Sequence, residues 1–398
     1  MALLKLMHWV LLTLAVVAVL VLLGWGALAG AFRKVTLECA HDPMCSDHAR
    51  AEVLTALDAH VYGPPPPMIE PQVLRRESIP RERAGGIPGV EQWLVDLGAA
   101  GRVHIVLVLP EPAAAPAPLI QMQTFCGNRA ALPGRPAAIA EPMGWYPWIC
   151  REPRFDPALR AIFGAHIAVP PYDLISERGY ALALAYGGDI APDDPRFARR
   201  IMAAYAPPET GALSVWAWLH SRMLDVLAQD ERIDASRVAL WGQSRQGKTA
   251  LLAGARDERF AAVVALQSGR GGDAPTRHRA GESVAAIGLQ FPHWFTPRFR
   301  TYARQDPPID QQDMLALIAP RPLLIGHAWR DGWADPAGAQ AAVKAASAAW
   351  RRAGAPAPQF YMRDGRHGIE RTDWERTLDF LDTHMGVRQS SSSPVSAG

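Results

Sequence analysis

Residues 238–250 read VALWGQSRQGKTA. An apolar run typical of a buried strand is followed by a glycine-rich turn and then by residues that favour a helix. A serine in such a turn forms a nucleophile elbow, where small neighbours let the backbone bend sharply and lift the hydroxyl above the sheet. Gly242 and Ser244 supply the first half of this pattern, whereas the second small residue, Gly247, comes one position late. The stretch therefore predicts a strand, a turn and a helix, with Ser244 at the bend.

The same stretch also matches the phosphate-binding loop GxxxxGK[ST], through Gly242, Gly247, Lys248 and Thr249. In that motif, backbone N–H groups at a helix N-terminus hold phosphates and the threonine binds magnesium. Here the motif follows at least three strand signals, and we find no convincing second strand that ends in an Asp for magnesium. A nucleotide-binding protein using residues 242–249 is therefore the more distant alternative.

An acid and a histidine follow Ser244 in the chain order of the α/β hydrolases, which is Ser, acid, His, each after a strand. Asp331 follows the strand-like run Leu323–Gly326, and His367 follows Gln359–Met362. Asp335 is a nearby rival for the role of the acid. The joint order predicts a Ser244–His367–Asp331 triad, because a phosphate-binding protein has no reason to place an Asp and a His at these two points.

Strand-like and helix-like segments alternate along the chain, which predicts a mainly parallel sheet with helices on both faces, as in the α/β-hydrolase fold. The predicted strands are Val103–Leu109, Leu119–Gln123, Ala181–Ala185, Val238–Trp241, Ala262–Leu266, Leu323–Gly326 and Gln359–Met362, and the predicted helices are Gly211–Ala228, Gly247–Ala255, Ala337–Ala353 and Thr372–His384. We expect the catalytic domain to span residues 101–386. A helix and a Pro-rich connector over residues 35–100 precede it, and residues 387–398 are predicted to be a disordered tail.

The N-terminus differs from the rest of the chain. Trp9 to Phe32 contains no charged residue in 24 positions. About 20 apolar residues span a bilayer as a helix. Residues 1–34 are thus predicted to be a transmembrane or signal-anchor helix, with a cleaved signal peptide as the rival reading. The expected location is membrane-anchored with an extracytoplasmic (periplasmic) catalytic domain, or secreted if the segment is cleaved.

The four cysteines fit an exported protein, where Cys39 could pair with Cys45 and Cys126 with Cys150, although free buried thiols are as consistent with the sequence. Their spacing is not that of a zinc site. A net charge of +2 offers no basic surface for a nucleic acid. We expect no metal, no cofactor and no nucleic-acid partner, and a monomer.

With these residues placed, the chain resembles the glucuronoyl esterases, carbohydrate esterase family fifteen, and their bacterial relatives. The family's elbow reads G-x-S-R-x-G-K, which GQSRQGK matches, including the late glycine. Further similar segments cover residues 48–386 in the family's order. They include TFCGN at 124–128, YGGD at 186–189, SGRGG at 268–272, FPHWF at 291–295, DGWADP at 331–336 and DWER at 373–376.

The resemblance implies a role for each matching residue. Arg245 would stabilise the oxyanion, and Lys248, Glu282 and Trp333 would contact the hydroxyls and ring of a uronic acid. Some family members carry a Glu just before the SGxGG turn, where this chain has Gln267. Because an amide cannot replace that charged partner, the acid is assigned to Asp331, the position used by bacterial relatives.

The predicted function is a serine esterase that hydrolyses carboxylic esters, with 4-O-methyl-glucuronoyl esters or related oligosaccharide esters as substrates. The nearest alternative is an acetyl or short-chain acyl carbohydrate esterase. In the first case the ester carbonyl belongs to the sugar acid, and in the second to the small acyl group.

Overall fold

The computed structural model describes residues 13–16, 18–19, 49–111, 116–143, 150, 153–278 and 280–386. Apart from short 3-10 and π-helical turns and isolated fragments within residues 13–19 and at residue 150, the described helices are α1 (Arg50–Leu57), α2 (Asp156–Phe163), α3 (Tyr172–Glu177), α4 (Ala198–Met202), α5 (Ala212–Leu227), α6 (Arg245–Arg256), α7 (Val284–Gln290), α8 (Gln311–Ala316), α9 (Pro336–Arg352) and α10 (Arg371–Met385). The strands are β1 (Gln72–Ile79), β2 (Val90–Asp96), β3 (Arg102–Val108), β4 (Ala117–Gln123), β5 (Ala181–Ala185), β6 (Ile233–Gln243), β7 (Ala262–Leu266), β8 (Leu323–Arg330) and β9 (Gln359–Arg366).

These strands form one nine-stranded sheet in the order β1-β2-β3-β5-β4-β6-β7-β8-β9. The strands from β5 to β9 in this order pair in parallel, whereas β1, β2 and β3 are antiparallel to their neighbours. Every residue of β5 and β7 is buried, as expected of central parallel strands covered on both faces. The predicted mainly parallel sheet is therefore confirmed.

Helices cover both faces of the sheet and produce two apolar cores. Along β3, Ile105 belongs to the core under α5, α6 and α9, and the next residue, Val106, belongs to the core under α3 and α10. This alternation follows from the two-residue period of a strand, which points successive side chains to opposite faces. The carboxyl ends of β4, β6, β7, β8 and β9 meet at one edge, where the candidate site lies.

The sheet begins earlier in the chain than the sequence pattern indicated. All seven predicted strands are present, but β1 and β2 also belong to the sheet, so residues 72–96 extend it rather than only leading into it. β1 reads QVLRRESI, and most of its residues are exposed. An edge strand that is polar on both faces lacks the apolar alternation by which strands are recognised.

Among the described residues, no helix is long and apolar enough to cross a membrane. The predicted anchor over residues 1–34 lies almost entirely outside the described residues, as do Cys39, Cys45 and the predicted tail from residue 387. Cys126 and Cys150 form a disulfide bond, so the alternative of free thiols is wrong for this pair.

Candidate active site

Ser244 lies alone in the sharp turn between the end of β6 and the start of α6. Its backbone angles are φ 55° and ψ −121°, a conformation that non-glycine residues rarely adopt. The turn is held because the Ser244 N–H donates to the carbonyl of Leu266 at 2.8 Å. This is the backbone strain expected of a nucleophile elbow.

The two glycines of the turn lie in close packing. A Cβ atom on Gly242 would lie 2.1 Å from the carbonyl oxygen of Gln246, and one on Gly247 would lie 2.4 Å from the Ser268 hydroxyl. Gly247, the glycine that comes one position late, is therefore the residue of this turn that packs against the segment after β7. The departure from the common pattern has a local steric reason.

The His367 ring is held by the predicted acid. Its Nδ1 donates to Oδ2 of Asp331 at 2.7 Å, and Asp331 is fully buried. Asp331 Oδ1 accepts the backbone N–H groups of Trp333 at 3.2 Å and Ala334 at 3.1 Å. Burial alone would raise the pKa of Asp331, but the charge and hydrogen bond of His367 outweigh it, so the pKa is lowered. An ionised carboxylate at this position fixes the proton of His367 on Nδ1.

The rival acid, Asp335, has a different set of contacts. Its Oδ1 caps α9 through the Gly338 N–H at 3.1 Å, and its Oδ2 lies 2.6 Å from Nδ1 of His278. The structure therefore brings Asp331, rather than Asp335, into contact with His367.

Two glutamines lie around the other ring nitrogen of His367. The Gln243 amide donates to Nε2 at 3.1 Å and also lies 3.3 Å from Oε1 of Gln267. Gln267 accepts the Gly368 N–H at 2.8 Å and donates to the Arg366 carbonyl at 3.3 Å, so it contacts the backbone on both sides of His367. With its proton on Nδ1, His367 presents a lone pair at Nε2. Gln267, in the position of the family's Glu, thus orients the loop rather than adding a charge.

Arg245 follows Ser244 and is oriented by a carboxylate that the sequence analysis missed. Its guanidinium pairs with Asp193, whose Oδ1 also accepts Nε2 of His293 at 2.9 Å and Nε1 of Trp294 at 2.7 Å. The guanidinium carbon lies 4.7 Å from the ring centre of Phe125 and 4.8 Å from that of Trp294. Burial raises the pKa of Asp193, but Arg245 and the His293 bond outweigh it and lower it to about 2. A permanent carboxylate therefore fixes a cation beside Ser244.

Lys248, Glu282 and Trp333 are brought to the same pocket as Ser244 and His367. Lys248 is buried, and its ammonium donates to the Ser268 carbonyl. Burial lowers the pKa of Lys248 to about 8, against the opposing charges of Glu282 and Asp273. Burial raises the pKa of Glu282, and Lys248 and Arg245 oppose that shift. Trp333 is 38% exposed and lies edge-on to His367, with ring centres 5.8 Å apart.

The contacts of this turn do not suit a phosphate-binding loop. Lys248 is bonded to the turn after β7, and the Thr249 hydroxyl donates to the Arg245 carbonyl at 2.9 Å within its own helix. Thr249 is fully buried, so its hydroxyl does not face a magnesium site. The alternative of nucleotide binding through residues 242–249 is therefore inconsistent with the structure. Across the described residues, no group of His, Cys, Asp or Glu side chains is arranged to hold a metal ion.

Comparison with known proteins shows which family the chain belongs to. Residues 201–354 match the family model "Glucuronyl esterase, fungi". The carbohydrate esterase MZ0003, from an unknown prokaryotic organism, is 32% identical over 373 residues, which cover 85% of each chain. The chain belongs to the glucuronoyl esterase family, carbohydrate esterase family 15.

Members of this family with solved structures share the fold over most of their length. A promiscuous family 15 esterase from a marine bacterial metagenome superposes with a TM-score of 0.71 at 29% identity, covering 88% of this chain and 98% of that one. The glucuronoyl esterase of Solibacter usitatus superposes with a TM-score of 0.69 at 30% identity, covering 84% and 91%. The chain therefore has the α/β-hydrolase fold of family 15, and it is a carboxylic ester hydrolase.

Proposed function

We propose that this family 15 enzyme hydrolyses esters formed by the carboxyl group of a uronic acid, through a triad of Ser244, His367 and Asp331. The observation that carries the proposal is the 2.7 Å contact from His367 Nδ1 to the buried Asp331, in a pocket that also holds the elbow serine. A neutral imidazole that can take a proton at Nε2, once the hydrogen bond from the Gln243 amide is broken, is the form that a general base requires.

In the first half of the reaction, the Ser244 oxygen attacks the ester carbonyl while Nε2 of His367 takes its proton. His367 must first exchange its hydrogen bond from the Gln243 amide for one from the Ser244 hydroxyl. Asp331 stabilises the imidazolium that results. Collapse of the tetrahedral intermediate breaks the bond to the alcohol oxygen, to which His367 returns the proton. Water then repeats the sequence on the acyl-enzyme and releases the acid.

The negative charge on the carbonyl oxygen is stabilised at the start of α6. The N–H groups of a helix's first turn have no partner within the helix, and the helix dipole favours an anion there. The Arg245 N–H is one of these groups, and its guanidinium is held beside Ser244 by Asp193. Removal of one such donor typically costs on the order of 3 kcal/mol of transition-state stabilisation.

The polar end of the pocket supports a sugar acid as the acyl group. The ester carbonyl of a uronate ester is attached to a ring that carries hydroxyls. Lys248 supplies donors, Glu282 supplies acceptors, and Trp333 offers an aromatic face for the ring. A curated relative from Hypocrea jecorina, 33% identical over 168 residues, which are 39% of this chain and 36% of that one, is a 4-O-methyl-glucuronoyl methylesterase.

The test measures hydrolysis of methyl glucuronate beside an acetylated sugar, with residues 35–398 and three variants. Ser244→Ala is expected to lower kcat on the uronate ester by on the order of 10⁴-fold or more, and Asp331→Asn by a similar factor. Ser347→Ala is the matched control, because its hydroxyl bonds only within α9, to the Val343 carbonyl at 2.7 Å.

Cleavage of the acetyl ester alone would be consistent with the proposed triad, but it would show that the enzyme is an acetyl esterase and not a uronate esterase. Turnover that survives in Ser244→Ala would refute the proposed nucleophile.

We also propose that residues 9–32 direct the catalytic domain out of the cytoplasm, as an anchor or as a signal peptide. The Cys126–Cys150 disulfide supports this location, since such bonds persist in oxidising compartments. Fractionation of cells that express the full chain would find the domain in the exported fraction, soluble if the segment is cleaved and membrane-bound after a carbonate wash if it is not. Recovery of the full chain in the cytosol would contradict it.

A further inference from the structure

A buried pair of side chains, Asp273 and His327, lies behind the polar end of the pocket and takes no part in the proposed triad. Asp273 comes directly after the SGRGG turn, and His327 lies on β8, four residues before Asp331. Oδ2 of Asp273 lies 2.9 Å from Nε2 of His327, and neither side chain is exposed to solvent. Neither residue lines the pocket, so any effect on the reaction must act through other residues.

The pair holds the turn that accepts Lys248. The Ser268 carbonyl accepts a hydrogen bond from the Lys248 ammonium, and Oδ1 of Asp273 accepts the Gly269 N–H at 2.7 Å. Through its contact with Asp273, His327 joins this turn to β8. The turn is therefore fixed between α6, the helix that carries Lys248, and β8, the strand that leads to the triad acid.

Asp273 also provides negative charge close to Lys248. A Cβ atom on Gly272, the residue before Asp273, would lie 2.9 Å from Cγ of Lys248, so the turn packs directly on the lysine side chain. Burial lowers the pKa of Lys248 to about 8, and the carboxylates of Glu282 and Asp273 oppose that shift.

The other charges around Lys248 differ from Asp273 in kind or in place. The cations Arg245 and Arg270 lower the pKa of Lys248 further. Glu282 lines the pocket, where it would bond to substrate hydroxyls. Asp273 is sealed behind the turn, so its charge remains opposite Lys248 when a sugar fills the pocket.

The surroundings of His327 keep its ring next to Asp273. Burial lowers the pKa of His327, but the charge and hydrogen bond of Asp273, with the charges of Asp331 and Asp335, outweigh it and raise that pKa. The ring also lies over Phe360 of β9, with ring centres 5.7 Å apart. A buried carboxylate is costly unless it is paired, and His327 is the partner that Asp273 requires.

We propose that Asp273 and His327 are positioning residues for the sugar acid, which hold the turn after β7 and provide the buried negative charge opposite the Lys248 ammonium. The pair acts through Lys248, whereas the contact between His367 and Asp331 is made independently of it. Esters that carry sugar hydroxyls should therefore depend on the pair, and simple esters should not. This inference rests on the proposed function, in which Lys248 contacts the sugar.

A direct titration of Lys248 tests the role of the charge. The chain contains four lysines, so the NMR spectrum of the full chain in detergent, with lysine labelled by carbon-13 at Cε, is simple, and Lys248→Arg identifies the signal of Lys248. The wild-type signal should titrate with a midpoint at about pH 8. In Asp273→Asn, which keeps an oxygen for the Gly269 N–H but loses the charge, the midpoint should fall by on the order of one pH unit.

Asp310→Asn is the matched control for that titration. Asp310 is also fully buried and accepts backbone N–H groups, those of Thr276 at 2.7 Å and Arg277 at 3.1 Å, but it does not line the pocket. Its substitution should leave the midpoint of Lys248 unchanged, even where the variant is less stable than the wild type.

Activity measurements on the full chain test the consequence for the sugar. Methyl glucuronate is compared with p-nitrophenyl acetate, whose acyl group carries no hydroxyl, and both rates are corrected for uncatalysed hydrolysis. The ammonium of Lys248 is present below its pKa, so a lower pKa removes it at lower pH. In Asp273→Asn the alkaline fall of kcat/KM on methyl glucuronate should begin at lower pH, while the profile on p-nitrophenyl acetate stays that of the wild type.

Variants of His327 test its hydrogen bond separately from its ring. His327→Phe keeps a ring over Phe360 but has no donor for Asp273, and it should raise KM for methyl glucuronate by about tenfold, the effect expected for one lost bond to a charged group. His327→Gln can still donate to Asp273 and should restore KM to within about threefold of wild type. In both variants kcat on p-nitrophenyl acetate should change by less than about threefold.

A Lys248 midpoint that stays at its wild-type value in Asp273→Asn, or that falls equally in Asp310→Asn, would overturn this inference and leave the uronate assignment intact. Equal losses on methyl glucuronate and p-nitrophenyl acetate would also overturn it, because the pair would then support the triad and not the sugar site. Cleavage of acetyl esters alone by the wild type would refute the proposed function, and the role of the pair in sugar binding with it.

Discussion

Asp193 is the residue whose contacts most directly control the cation beside Ser244. Its side chain is 8% exposed, and it accepts hydrogen bonds from His293 and Trp294 while it pairs with Arg245. An amide at this position would remove the charge that fixes the guanidinium. We expect Asp193→Asn to lower kcat on methyl glucuronate by on the order of 10- to 100-fold with a smaller effect on KM, because the loss falls on charge that develops in the transition state.

Asp194→Asn provides the matched control for that prediction. Asp194 pairs with Arg196, whose side chain is 72% exposed, and it does not line the pocket. Its substitution should leave kcat within about twofold. If Asp193→Asn changed only KM, or if both variants lost equal activity, Asp193 would have no part in positioning Arg245.

The protonation of Lys248 should affect how the activity depends on pH. Burial lowers its pKa to about 8, so it loses its proton earlier than an ordinary lysine as pH rises. The ammonium that would bind the sugar hydroxyls is present below that pH and is lost above it. We expect kcat/KM on a uronate ester, corrected for uncatalysed hydrolysis, to fall above about pH 8.

In Lys248→Arg the fall should move to higher pH, since a guanidinium stays charged. Lys344→Arg, on the exposed surface of α9, should keep the wild-type profile. An unchanged alkaline limb in Lys248→Arg would exclude Lys248 as its cause.

Single residues were predictable from the sequence where a motif or a chain order singled them out. Ser244, Asp331 and His367 each follow a strand of the parallel part of the sheet, β6, β8 and β9, so their convergence at one sheet edge could be expected. Asp193 lies eight residues beyond β5 and belongs to no recognised spacing, and only the fold brings it to Arg245. The signal that could have found Asp193 was a pair of adjacent carboxylates, Asp193 and Asp194, in the segment that follows a buried strand.

At the scale of elements, the turn between β6 and α6 depends on its two glycines to different extents. A Cβ atom on Gly242 would press on a backbone carbonyl, whereas one on Gly247 would meet the Ser268 hydroxyl, which can rotate away. We expect Gly242→Ala to lower the free energy of unfolding by about 1–3 kcal/mol and Gly247→Ala by clearly less. Denaturant unfolding of both variants measures the difference.

Ser268→Ala removes the hydroxyl and tests the assignment of that contact. The double variant Gly247→Ala/Ser268→Ala should be more stable than the sum of the two single changes predicts, because the two atoms that collide are no longer both present. Additive effects, or a larger loss for Gly247→Ala than for Gly242→Ala, would contradict this account of the late glycine.

The burial of a strand decided whether the sequence pattern could predict it. β5 and β7 are fully buried and read as unbroken apolar runs, so their place in a parallel sheet was visible. β1 lies at the sheet edge, carries two arginines and a glutamate, and gains its place by pairing with β2. Pairing at an edge leaves little trace in the apolar pattern. The sequence therefore indicated the centre of the sheet and not its first edge.

For the whole molecule, the order of the strands could not be predicted in detail. The meeting of Ser244, Asp331 and His367 at one edge of the sheet could be predicted. β5 lies between β3 and β4, and β4 lies between β5 and β6, so the chain passes over one strand between β3 and β4 and over another in the crossover from β5 to β6, which leads to the elbow. That crossover brings Phe125, after β4, beside Arg245 from the elbow. The long connection from β4 to β5 also contributes Leu159 and Phe163 to the pocket, and neither residue belongs to a motif that the sequence analysis recognised.

The first part of that connection is closed by the Cys126–Cys150 disulfide, which spans 24 residues. A cross-link over a loop of this length stabilises a protein by about 3 kcal/mol, chiefly because it restricts the unfolded chain. We expect Cys126→Ser/Cys150→Ser to lower the free energy of unfolding by about that amount, measured with denaturant on residues 35–398. Reductant should destabilise the wild type and leave the double variant unchanged. Because Arg135 still pairs with Asp156 in that variant, hydrolysis of methyl glucuronate should persist below the unfolding transition. Stability that is equal in wild type and variant would mean that the rest of the fold already restricts this loop.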